Sequence, residues 1–133
     1  MMGIGINDGG INDGDLNRGL VAHLGIRFLE TGPERVVAEL DIREEVCTLG
    51  GAIHGGTLMA LADTVGAVGT LASGAKTATA ESKTNFFAAA RAGKVRAEAT
   101  PLHKGRRTHV WQTRVTDDAG KLLSLTIQTQ MIL

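Results

Sequence analysis

Hydrophobic and polar positions change their spacing along the chain, and these changes predict its elements. Apolar and polar residues alternate over residues 35–42, as in a half-buried strand. Strand-like runs also occupy residues 26–30, 77–87, 94–103, 108–117 and 121–132. Turns with glycine separate the last three runs, at Gly93, Gly105 and residues 118–120, which predicts an antiparallel meander.

Residues 55–73 have a different pattern, because they are apolar or small almost all round. This predicts a buried helix. Its one charge is Asp63, and an acid within a buried helix is costly unless it is paired or used. Gly55 and Gly56 begin the helix and leave backbone N–H groups open to an oxygen that gathers negative charge. A carboxylate and such donors are the minimum needed to hydrolyse an activated acyl group.

The N-terminal part is predicted from weaker signals. Residues 1–14 are dense in glycine and lack a periodic core pattern, which predicts a flexible arm. Residues 15–24 predict a short helix capped by Asp15, with Leu16, Leu20 and Leu24 on one face. Residues 15–133 then form one α+β domain, in which a mostly antiparallel sheet wraps one long helix.

Composition narrows the classes of function. The 133 residues contain 14 Lys and Arg against 14 Asp and Glu, so no global field attracts nucleic acid or an anionic membrane. We therefore expect neither as a partner. Cys47 is the single cysteine, which excludes an internal disulfide and a multi-cysteine zinc site and favours a reducing, cytoplasmic setting. We interpret Cys47 as an inert thiol rather than a nucleophile, and we predict no metal site.

From about residue 24 to residue 133 the sequence resembles the hotdog-fold acyl-CoA thioesterases. The motifs that carry the resemblance are His54-Gly55-Gly56, the acid nine residues after His54, Glu81-Ser82-Lys83-Thr84-Asn85-Phe86-Phe87, Pro101-Leu102-His103-Lys104-Gly105-Arg106-Arg107 and Val110-Trp111-Gln112. The last two are similar to the aryl-CoA branch, which includes dihydroxynaphthoyl-CoA and phenylacetic acid degradation thioesterases. The resemblance implies five or six antiparallel strands around one central helix, homodimers or homotetramers with sites between subunits, acyl- or aroyl-CoA substrates and no cofactor.

The resemblance also implies roles for single residues. The Gly55 N–H would polarise the thioester carbonyl, His54 would order the loop, and Asp63 would be the base or the nucleophile. Thr48 stands where many relatives carry an amide side chain. Thr79 on the following strand, or Thr64, would hold the attacking water.

Several residues are candidates for binding the substrate. Gly56 would add a backbone donor beside Gly55. The basic residues that could meet the phosphates of coenzyme A are Lys83, Arg91, Lys104, Arg106 and Arg107. The turn at residues 104–107 is the best of these, because arginine binds phosphate through two hydrogen bonds. The alternative is a solvated basic hairpin.

The distance along the helix adds a prediction that does not depend on the resemblance. Eight residues separate Gly55 from Asp63, so they lie about 12 Å apart in a straight helix. One chain cannot bring this carboxylate to its own helix start. Two antiparallel helices related by a twofold axis can do so, and both pairings then occur. We therefore expect the working unit to be at least a dimer.

Other interpretations remain open at this point. Asp63 is either catalytic or a structural acid, and the protein is either an enzyme or a non-catalytic acyl-CoA-binding protein, with a hotdog hydratase as a weaker third hypothesis. Glu81 is either in a buried pair or on the wall of the site, and we favour a structural role. His103 and His109 flank a turn and are predicted at the surface or an edge. Trp111 is predicted in the core or an interface.

Overall fold

The computed structural model describes residues 6–7, 10–11 and 13–133. Its strands are β1 (Ile6–Asn7), β2 (Gly10–Ile11), β3 (Arg27–Thr31), β4 (Val36–Asp41), β5 (Thr77–Phe86), β6 (Lys94–Lys104), β7 (Thr108–Thr116) and β8 (Leu122–Ile132). Its helices are α1 (Gly19–Leu24) and α2 (Gly55–Ala72), with 3-10 turns at Asp13–Asn17 and Glu44–Val46.

Six of the strands form one antiparallel sheet in the order β3-β4-β6-β7-β8-β5. The predicted meander is confirmed as β6-β7-β8, and β5 pairs with β8 to become one edge of the sheet. The sheet wraps α2, which contacts all six strands. The predicted α+β architecture, with a six-stranded sheet around one long helix, is therefore confirmed.

Helix α2 is buried over most of its surface, as its uniform apolar pattern predicts. It is long and apolar enough to span a membrane, but 67% of it is buried inside the domain, as in the core helix of a soluble protein. Two glycines let the sheet approach closely. A Cβ on Gly69 would lie 2.3 Å from the Trp111 ring, and a Cβ on Gly66 would lie 2.3 Å from Gln128 Oε1. Trp111 is fully buried, so its predicted core position is confirmed.

The prediction for the short first helix is wrong in its start and for one of the three leucines of its buried face. Helix α1 begins at Gly19, after a 3-10 turn and an extended Arg18, so Asp15 does not cap it. The positive φ of Gly19, 59°, separates the two segments. Leu20 is 60% exposed, and Val21 is buried in its place. The predicted arm over residues 1–14 lies largely outside the described residues. Within it, β1 pairs with β2.

His109 is buried on an interior strand of the sheet, so its predicted place at the surface or an edge is wrong. It lies on β7, where every second side chain from residue 109 to residue 115 faces α2. Its Nδ1 lies 3.0 Å from the Thr70 hydroxyl, which also accepts a hydrogen bond from Trp111 Nε1. Burial lowers the pKa of His109, and the charges of Lys104 and His103 lower it further. His103 is exposed, as predicted.

Candidate active site

The N-terminus of α2 presents one open backbone donor. His54 is the N-cap residue, and its Nδ1 accepts a hydrogen bond of 2.7 Å from the Gly56 N–H. The expectation that both glycine amides are bare is therefore wrong for Gly56, because His54 occupies its donor. Among the described residues, the Gly55 N–H has no hydrogen-bond partner. It stands at the positive end of the α2 dipole, which makes it the donor suited to a developing oxyanion.

Phe86, at the end of β5, covers this helix start. A Cβ on Gly55 would lie 3.3 Å from the Phe86 ring, so the glycine lets the ring lie close to the backbone. The ring is about half exposed. Phe86 is thus a wall of the helix start, a position that its place in the sequence motif did not reveal.

Asp63 lies two turns further along α2 and is half-buried. Its Oδ1 accepts two hydrogen bonds, one of 2.6 Å from the Thr79 hydroxyl and one of 3.1 Å from Gln128 Nε2. Within the described parts of the chain, Oδ2 has no hydrogen-bond partner, and Asp63 forms no ion pair. The carboxylate is held on one side by neutral donors and is open on the other.

The Asp63 carboxylate fixes the direction in which Thr79 donates, because an ionised carboxylate only accepts hydrogen bonds. The Thr79 hydroxyl in turn accepts a hydrogen bond of 2.7 Å from Gln130 Nε2. The Oε1 of Gln130 lies 2.9 Å from the Thr77 hydroxyl, which also lies 2.7 Å from the Met131 carbonyl. The sequence predicted Thr79 near Asp63 from the resemblance, and the structure brings the two together.

Gln128 and Gln130 are the residues near Asp63 that sequence reasoning missed. Both are fully buried on the face of β8 that meets α2, together with Ser124 and Thr126. Leu125 and Ile127, at the alternate positions, are only half-buried. The available signal was this inverted alternation, in which polar side chains at every second position of an apolar strand point to a polar interior.

Asp63 opens into a cavity of about 290 Å³ lined by Met59, Ala60, Asp63, Thr79 and Ser82. The predicted helper Thr64 is not in it. Thr64 is buried and donates its hydroxyl proton to the Ala60 carbonyl at 2.7 Å. Thr48 does not line the Asp63 cavity of the same chain either. It lines a different cavity of about 480 Å³, together with Cys47 and Arg91.

The candidate phosphate-binding residues differ in whether their side chains already have partners within the chain. Lys104 is paired with Glu34 at 2.6 Å, and Arg91 donates to the Gly50 carbonyl at 2.6 Å. Lys83 donates to Asn85. In the described chain, the exposed Arg106 and Arg107 form no ion pair. Their binding of coenzyme A stays a prediction.

Glu81 does not have the structural role predicted for it. Glu81 is exposed on β5. It has no ion pair with any residue that the structure describes, so the favoured buried pair is wrong.

No group of three or more His, Cys, Asp or Glu side chains among the described residues is placed to hold a metal ion.

Comparison with known proteins decides the family. The family model described as "Thioesterase superfamily" matches residues 50–124, which is more than half of the chain and includes Gly55, Asp63 and Thr79. The chain belongs to the thioesterase superfamily. The predicted resemblance and the hotdog fold are thereby confirmed, and so is the class of enzyme, a thioester hydrolase.

Two relatives in the superfamily are described as 1,4-dihydroxy-2-naphthoyl-CoA hydrolases. The one from Escherichia coli is 33% identical over 117 residues, covering 86% of this chain and 86% of the relative. The one from Listeria monocytogenes is 31% identical over 110 residues, covering 80% and 89%. The solved structure of a thioesterase from Haemophilus influenzae matches with a TM-score of 0.83 at 29% identity, over 89% of this chain and 85% of that one.

Proposed function

We propose that the protein hydrolyses an acyl- or aroyl-CoA thioester, with Asp63 as the base or the nucleophile. The observation that carries the proposal is the carboxylate itself. Asp63 has no cation beside it among the described residues, its Oδ1 is fixed by Thr79 and Gln128, and it lines an open cavity. The two dihydroxynaphthoyl-CoA hydrolases among the relatives support an aromatic acyl group.

Asp63 can perform either of two reactions. As a base, Oδ2 removes a proton from water while the water oxygen attacks the thioester carbon. As a nucleophile, Oδ2 attacks that carbon itself, forms an acyl anhydride, and water then cleaves the anhydride. In both routes the carbon–sulfur bond breaks, and the thiolate of coenzyme A leaves and takes up a proton. The carbonyl oxygen gathers negative charge that the Gly55 N–H and the α2 dipole stabilise.

The site is completed by a second copy of the chain. Gly55 and Asp63 lie about 12 Å apart along α2, too far for one thioester carbon to reach both. We therefore propose a symmetric dimer in which Asp63 of one chain meets Gly55 of the other. Such dimers would pair into tetramers in the manner that the resemblance implies. The exposed edge strand β5 and the half-exposed Met59 beside Asp63 support a partner on this side.

Coenzyme A would be bound through its phosphates. Arg106 and Arg107 are the best candidates, because both are exposed in the turn between β6 and β7. We expect the enzyme in the cytoplasm, in a pathway that handles aromatic thioesters such as those of phenylacetic acid degradation.

The experiment is a panel of 1,4-dihydroxy-2-naphthoyl-, benzoyl-, phenylacetyl- and fatty acyl-CoA with detection of the released thiol. We expect hydrolysis with an aromatic substrate to be fastest, and Asp63→Asn to lower kcat by a factor on the order of 10³ or more with the oligomer intact. Ser124→Ala is a matched control in the buried interior. Normal turnover in folded Asp63→Asn would contradict the proposal. Saturable binding without hydrolysis across the panel would instead favour the non-catalytic acyl-CoA-binding protein.

A further inference from the structure

Gln128 joins the sheet to the acid of the central helix. Its side chain is fully buried on β8, and its carboxamide reaches across to α2. Nε2 lies 3.1 Å from Asp63 Oδ1 and 3.3 Å from the Asp63 backbone carbonyl. The same group therefore contacts both the side chain and the backbone of the proposed catalytic residue.

The carboxamide of Gln128 fits against α2 because Gly66 has no side chain. Gly66 lies three residues after Asp63, and a Cβ at that position would lie 2.3 Å from Oε1 and 2.5 Å from the carboxamide carbon of Gln128. Any other residue at position 66 would have to displace the carboxamide. Gly66 and Gln128 thus depend on each other.

A glutamine at position 128 lowers the stability of the fold relative to an apolar residue, if its only role is packing. Its Oε1 is buried and has no hydrogen-bond partner among the described residues. A buried polar atom without a partner costs free energy that an apolar side chain of the same length would not. The cost is offset at Nε2, whose hydrogen-bond acceptors in the described part of the chain both belong to Asp63.

We propose that Gln128 is a positioning residue for Asp63, and this inference rests on the function proposed above. Two donors on Oδ1, from Thr79 and Gln128, fix the rotation of the carboxylate and turn Oδ2 toward the cavity. Thr79 lies on the edge strand β5, whereas Gln128 is held in the interior by β5 and β7 on either side. Gln128 therefore supplies the rigid half of the clamp.

The first test replaces Gln128 with methionine, which keeps the length of the side chain and removes the donor. We expect kcat to fall about 10- to 100-fold, as for a lost hydrogen bond to a charged group, with KM within about threefold of the wild type. In an Asp63→Asn background, Gln128→Met should cause no further loss. Ser124→Ala, on the same face of β8, is the control. An unchanged kcat, or an equal loss in both backgrounds, would overturn the proposal.

The second test reaches the same contact from the helix and applies even if Gln128→Met does not fold. Gly66→Ala should displace the carboxamide and lower kcat by a similar factor. Gly69→Ala is its matched control, because the added Cβ would meet the Trp111 ring at 2.3 Å rather than the Gln128 carboxamide. We expect Gly69→Ala to lower stability without a comparable fall in kcat for the folded fraction. Equal kcat values for the two variants would contradict the proposed role.

A third measurement does not need activity. In the nitrogen–proton NMR spectrum, the side-chain amide signals of Gln128 should shift between the wild type and Asp63→Asn, because the charged acceptor is lost. Unmoved signals would overturn the clamp. If no thioester is hydrolysed but the signals move, the proposed function fails while the contact between Gln128 and Asp63 stands.

Discussion

Asp41 and Asp63 each accept two hydrogen bonds, but the donors differ. Asp41, on the outer face of β4, receives both from the Arg27 guanidinium, one on each oxygen at 3.1 and 3.0 Å. Asp63 receives both on Oδ1, from the neutral groups of Thr79 and Gln128. One carboxylate is paired with a cation through both oxygens, while the other, among the described residues, has no cation beside it and one oxygen without a partner.

The difference separates a structural acid from one available for chemistry. The Arg27 hydrogen bonds hold the pKa of Asp41 below its usual value. Arg35 forms ion pairs with two carboxylates, those of Glu30 and Glu98. These pairs lie on the surface, where ion pairs contribute little to stability. An ion pair at Asp63 would block the proposed reaction, so the absence of a cation near it, among the described residues, has functional meaning.

After the loss of the Asp63 carboxylate itself, the largest effect is expected from the loss of the Gly55 N–H, the donor proposed to stabilise the oxyanion. Gly55→Pro removes this donor at the first position of α2, where proline is tolerated, and His54 already has the extended backbone that precedes proline. We expect kcat to fall about 10²- to 10³-fold. Gly55→Ala is the control, since it meets the Phe86 ring but keeps the N–H. Equal losses in the two variants would assign the effect to Phe86 instead.

A smaller effect is expected when Asp63 is made to resemble Asp41. Met59 lies one turn before Asp63 and lines its cavity, so Met59→Lys places an ammonium group within reach of the carboxylate. We predict a fall in kcat of about tenfold that is partly relieved at high salt. Met59→Gln, of similar length and uncharged, should retain more activity. If the two variants have equal kcat at low salt, the charge of Asp63 is unimportant.

The smallest effect is expected at Asp41. A carboxyl whose pKa is lowered by folding contributes stability above its unfolded pKa, about 3.9, and this contribution is lost as the pH falls through the lower folded value. Asp41→Asn should therefore slightly lower the midpoint temperature of unfolding at pH 7. The difference in midpoint between the variant and the wild type should shrink at acidic pH and at high salt. The kcat should not change. A difference that grows in acid would contradict the sign of the shift.

The repeating patterns of the chain were sufficient to predict the sheet and α2. Period-two alternation located β4, glycine turns between strand-like runs located the meander, and the uniform apolar run located α2, because these features are local. The failures have long-range causes. His109 and Gln128 are buried because their faces of β7 and β8 meet α2, and the alternation within each strand does not say which face meets the helix. Gly55 and Asp63 were predicted from the pattern of the buried helix and from the resemblance, whereas the Gln128 clamp required the fold.

The central claim is that each site takes Asp63 from one chain and Gly55 from its partner. Asp63→Asn and Gly55→Pro subunits, each inactive alone, can be unfolded together, mixed in equal amounts and refolded. Random pairing makes half of the dimers mixed, with one intact site in each, so about a quarter of the wild-type activity should return. If refolded mixtures that contain mixed dimers recover no activity, each site lies within a single chain and the account is contradicted.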